Sequence, residues 1–90
     1  MNRAQRMKKI LESLQPEQLE IRDDSGNHAG HSGARPEGET HYHIRIVSTA
    51  FEGRSRIDRH RMVQALLAPE FESGLHALQL RTLTPAEANS

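Results

Sequence analysis

Ninety residues are enough for one domain and too few for two, and a unit this small has a thin core. Twelve basic residues balance twelve acidic ones, so no global charge draws the chain to nucleic acid or to an acidic membrane; only a local patch could. There is no cysteine, hence no disulfide, thiol nucleophile or internal thiolate ligand, and with only Tyr42, Phe51 and Phe71 as aromatics the core is aliphatic and a deep substrate pocket is disfavoured.

Ala4, Met7, Ile10, Leu11 and Leu14 recur at helical spacing, and Pro16 ends that helix. The same stretch, MNRAQRMKKILESL, is charged and lacks the apolar segment and cleavage site of a signal peptide. No run approaches membrane-spanning length, so no membrane association and a cytoplasmic location are expected. From Gln18 to Asp24 the pattern alternates, with Leu19 and Ile21 on one face of a half-buried strand. Ser25 to Thr40 holds four of the six glycines, one proline and two histidines, and is predicted to be a mobile hairpin loop.

A second strand is predicted from His41 to Ser48, with Tyr42, Ile44 and Ile46 on one face and His41, His43 and Arg45 on the other. Phe51-Glu52-Gly53 turns the chain. Ser55 is the N-cap of a helix running to about Leu67, with Met62, Val63, Leu66 and Leu67 as its apolar stripe. Pro69 breaks it, Glu70 to Ser73 adds a short turn, and Gly74 stops that turn. The last strand is expected from Leu75 to Leu83, with Leu78 and Leu80 on one face. Pro85 to Ala88 begins a terminal helix. The two adjacent strands should pair antiparallel, and the strand–helix–strand unit should set the last strand parallel to the second. The whole chain, 1–90, is then one α+β domain: a two-layer sandwich with a three-stranded mixed sheet and the helices on one face.

The compositional outlier is six histidines: His28, His31, His41, His43, His60 and His76. Imidazole is a good ligand for zinc, copper and iron, but the spacing matches no self-contained site and a closed zinc site needs four ligands. Read individually, His41 and His43 are solvated strand residues, and His60 serves packing or hydrogen bonding. His76, on the face of Leu78 and Leu80, is half-buried. The second cluster is Arg54, Arg56, Arg59, His60 and Arg61 around a helix start, suited either to phosphate contacts or to a solvated helix face. Helical rotation puts Arg59 near the apolar stripe and Arg61 opposite it. No motif for nucleophilic, acid–base or phosphate-loop chemistry is present, so no enzymatic activity is expected.

Four stretches, LEIRDDSGNHAGH, GETHYHIRIVSTAFEG, RHRMVQALL and GLHALQLRTLTP, carry the ordered motifs D-x-S…H, T-H-[FY], V-S-x-x-F-x-G, R-H-R and H-A-L. Over roughly residues 5 to 86 the chain resembles the BolA family. The resemblance implies a fold similar to the type II K-homology domain. It implies a non-enzymatic adaptor that pairs with a monothiol glutaredoxin and shares a [2Fe-2S] cluster with that partner and glutathione, none being held by the isolated chain. The family's H-A-L histidine is here His76. The position matching its loop ligand is His28, with His31 an extra donor nearby. Bacterial relatives are also described as transcriptional regulators, which makes DNA binding through Arg54, Arg56, Arg59, His60 and Arg61 the alternative expectation.

Overall fold

The computed structural model describes residues 1–24 and 40–90. The loop expected from Gly26 to Glu39, and with it His28 and His31, lies outside these residues. The elements follow the predicted order: α1 (Arg3–Leu11), β1 (Gln18–Asp23), β2 (His41–Val47), α2 (Arg56–Leu66), α3 (Ala68–Glu72), β3 (Ala77–Leu83) and α4 (Pro85–Ala88). In the sheet β2 is central, antiparallel to β1 and parallel to β3.

Asn2 caps α1 by accepting from the Gln5 amide, while the Gln5 side chain accepts from the Asn2 amide. A 3₁₀ turn, Glu12–Leu14, tightens the end of the helix. Gln15 then turns left-handed, at φ 49°, and Pro16 prevents any return to helix. The side chains of Met7 and Leu11 are fully buried.

Strand alternation puts Tyr42, Ile44 and Ile46 on the inner sheet face, where all three are buried. Leu19 and Ile21 of β1 and Leu78 and Leu80 of β3 flank them, and Met7 and Leu11 of α1, Val63 of α2 and Leu67 just past the end of α2 close over them together with Phe51. The outer face is polar, with cross-sheet rows Glu20–Arg45–Arg81 and Arg22–His43–Gln79. This is the predicted two-layer α+β sandwich.

The corner between β2 and α2 hangs on Ser48, which is fully buried. Its hydroxyl donates to the Leu14 carbonyl and accepts from the Ala50 amide, tying the end of α1 to the turn. Gly53 supplies the left-handed step, at φ 74°. Ser55 caps α2 by accepting from the Asp58 amide, as its position predicts.

Two boundaries differ from expectation. The second long helix ends as expected, at Leu66, but the short α3 that follows begins at Ala68 rather than Glu70, with Pro69 in its first turn, where its missing N–H is no loss. β3 starts at Ala77 rather than Leu75, because the Leu75 amide still closes α3 by donating to the Glu70 carbonyl at 2.8 Å.

A buried charge network joins α1 to α3. The Arg3 guanidinium reaches the Glu70 carboxylate at 2.8 Å, with side-chain exposures of 8% and 6%. It also donates to the Ser73 hydroxyl and to the carbonyls of Glu70 and Ser73. Arg6, more exposed, grips the same carboxylate at 3.0 Å.

Candidate metal centre

The start of β3 is pinned to the start of β2 by one carbonyl. Thr40, itself buried, accepts from the His76 amide at 2.8 Å and from the Ala77 amide at 3.0 Å. His41 is thereby set opposite Ala77 in the ladder. The two imidazoles come together, with ring centroids 5.3 Å apart and planes tilted by 46°. Nδ1 of His41 lies 2.9 Å from the Thr40 hydroxyl. When that hydroxyl accepts from Nδ1–H, Nε2 keeps its lone pair, the arrangement that orients a histidine ligand.

This corrects two expectations. His76 is not a half-buried strand residue but an exposed one, a position ahead of the ladder. Strand alternation therefore does not put its ring on the face of Leu78 and Leu80. His41 is half-buried beside His76 rather than simply solvated. His28 and His31 lie outside the described residues. Among the described residues no three His, Cys, Asp or Glu side chains gather as a metal site. Two imidazoles and no thiolate leave any iron or zinc centre here short of a full ligand set, which fits a group completed from outside the folded core.

The arginine cluster is divided. Arg59, close to the apolar side of α2 as predicted, donates to the Arg54 and Thr82 carbonyls and pairs with Glu87 at 2.6 Å. Arg54, Arg56, Arg59 and His60 face one cleft at the far end of β3 from His76, whereas Arg61 is exposed and off it. The five side chains therefore present no common face to a duplex.

The family model described as BolA-like protein matches residues 10–87. The chain belongs to the BolA-like family. It is 47% identical over 92 residues to a protein named BOLA1, chloroplastic, of Arabidopsis thaliana, spanning 99% of this chain and 58% of that one. A similar 47% identity holds over 91 residues with SufE-like protein 1, chloroplastic/mitochondrial, of the same plant, across 96% of this chain but 24% of the relative. The chain thus spans only part of the length of these relatives. Among solved structures, the BolA domain of SufE1 from Arabidopsis thaliana superposes with a TM-score of 0.86 at 48% identity, over 97% of this chain and 96% of that one. Among the described residues no helix is long and apolar enough to cross a membrane.

The BolA-like motifs acquire physical roles here. In T-H-[FY], Thr40 holds the start of β3, His41 lies beside His76, and Tyr42 enters the core. In V-S-x-x-F-x-G, Val47, Ser48 and Phe51 are buried and Gly53 makes the left-handed turn. In R-H-R, Arg59 ties α2 to β3 and α4. Sequence reasoning missed Arg3, Glu70 and the approach of His41 to His76.

Proposed function

We propose that this chain is a non-enzymatic adaptor that pairs with a monothiol glutaredoxin and shares a [2Fe-2S] cluster with it in iron–sulfur or redox homeostasis. The observation that carries this reading is an exposed His76 imidazole, with His41 at 5.3 Å, in a chain without cysteine. Histidine can replace cysteine on one iron of such a centre and raise its potential. His76 offers its ring from a backbone held at both sides by Thr40 and Glu70, so the donor stands on a fixed turn. His28 is the proposed second ligand, with His31 as a substitute, and thiolates come from glutaredoxin and glutathione. The polar outer sheet face and the exposed histidine leave partner contact wider than one imidazole. The proposed location is the cytoplasm, although the two plant relatives carry organellar names.

Mixing the chain with a monothiol glutaredoxin and glutathione-ligated cluster tests this by visible absorption and circular dichroism. A new spectrum, saturating at one chain per glutaredoxin, is expected. A spectrum identical to that of the glutaredoxin alone at all ratios rules the reading out.

A further inference from the structure

β1 is a free edge of the sheet: β2 pairs with one side of it, and among the described residues no strand lies on the other. The Asp24 amide donates to the His41 carbonyl at 2.7 Å, which fixes the phase of the antiparallel ladder. Gln18, Glu20 and Arg22 therefore turn their backbone groups to β2, and Leu19 and Ile21 turn theirs to the open side. Neither finds a hydrogen-bond partner there among the described residues. An edge of this kind is a template for another strand unless something blunts it. The edge at β3 is blunted, because Arg59 of α2 donates to the Thr82 carbonyl at 3.1 Å. β1 carries neither proline nor lysine, and the residues that point inward at its centre, Leu19 and Ile21, are apolar and only half-buried. With Ala4, Gln5 and Lys8 of α1 they line a shallow groove of about 230 Å³ along the edge.

Charge on the outer face decides which strand fits. Antiparallel pairing of β1 with a second β1 through the outward backbone groups sets odd residues opposite odd ones. Centred on Glu20, it would bring two Glu20 carboxylates directly opposite, which is destabilising. Centred on Ile21, it sets Ile21 against Ile21 on the groove side and Leu19 opposite Asp23. Glu20 of each copy then stands opposite Arg22 of the other, in the closer kind of pair that exchanges no backbone bonds. Glu20 is exposed and makes no side-chain hydrogen bond or ion pair among the described residues. Arg22 gives Nε and Nη2 to Asp24, at 2.8 and 3.3 Å, and keeps Nη1.

We propose that two copies of this chain pair edge to edge through β1, antiparallel and two-fold about Ile21, joining two three-stranded sheets into one of six strands. The Ile21 residues exchange backbone bonds across the two-fold axis and cover each other's half-exposed side chains, and two Glu20–Arg22 pairs set the register. So small a contact makes a weak, reversible dimer. His76 stands just ahead of β3, at the opposite edge, and the dimer does not rest on cluster sharing.

Sedimentation of the full chain over a wide concentration range tests it, with amide exchange read on the same samples. A reversible rise toward twice the monomer mass is expected, with exchange at Leu19 and Ile21 slowing as the dimer fills. Glu20→Arg alone and Arg22→Glu alone each set like charges opposite one another twice, and each should weaken self-association by about tenfold. Both positions are exposed, so the fold should persist in either variant. Mixed in equal amounts, the two variants should recover association as a heterodimer, because every like pair becomes an opposite one. A chain that stays monomeric at every concentration, a dimer that neither variant weakens, or no recovery on mixing would overturn the proposal. Protection of Leu19 and Ile21 that appears only when glutaredoxin is added would overturn it too, and would assign the edge to that partner.

Discussion

Glu70→Ala should lower the thermal midpoint by on the order of 10–20 °C, the largest loss expected from any single side chain of the charge network. The carboxylate neutralises Arg3, which is buried, and Arg6 beside it. Its removal leaves two like charges together, one of them the buried Arg3, which keeps neutral partners such as the Ser73 hydroxyl and the Glu70 and Ser73 carbonyls. Breaking a buried pair in this way costs about 3–5 kcal/mol. That is a large share of the roughly 5–15 kcal/mol that holds a domain together. Glu70→Gln keeps an acceptor for Arg3 and should cost less. The pH dependence has a definite sign. The hydrogen bond from Arg6, then the charges of Arg6 and Arg3, hold the Glu70 carboxyl below its ordinary value against the opposing effect of burial. A carboxylate lowered on folding stabilises above its unfolded pKa and loses that contribution as pH falls through the folded one. Glu87 acts in the same direction. The Arg59 hydrogen bond, then the Thr84 amide, hold it at about 2 against an ordinary 4.5. Thermal midpoints of the wild type should therefore fall steadily as pH drops below the usual carboxylate range, and Glu70→Gln should flatten that fall. A Glu70→Ala midpoint within a degree or two of the wild type would show that the network contributes nothing.

His76→Ala should abolish the shared visible spectrum with glutaredoxin while changing stability by no more than about 0.5 kcal/mol, as for other exposed positions. Association with the glutaredoxin, measured by gel filtration or calorimetry, should persist. His28→Ala should weaken the cluster less, because His31 can substitute, and loss of both loop histidines should match the loss at His76. His28→Cys should keep the cluster and shift its spectrum toward thiolate ligation. An unchanged spectrum in His76→Ala would remove His76 from the ligand set.

The sheet and its helices were legible because their signals are local. The alternation of Tyr42, Ile44 and Ile46 marks a half-buried strand, and Ser55 marks the start of α2 at the position it occupies. The network of Arg3, Arg6 and Glu70 was not legible. Each residue read alone is a solvated charge on a helix, and only the docking of α1 on α3 takes Arg3 and Glu70 out of water. The histidine pair failed for a different reason. Alternation extrapolated back from Leu78 assigns His76 to the inner face, but regular pairing stops at Ala77 and the rule stops with it. The two halves of the proposed ligand set differ in the same way: His76 stands on a described turn, while His28 and His31 lie outside the described residues.

Pulsed electron paramagnetic resonance of the reduced mixed complex, with only this chain carrying nitrogen-15 histidine, reads the ligand most directly. Strong hyperfine coupling from a bound imidazole nitrogen of this chain is expected, and it should disappear in His76→Ala. A reduced cluster with no nitrogen-15 coupling, or with the same coupling after His76 is removed, would contradict cluster sharing through His76.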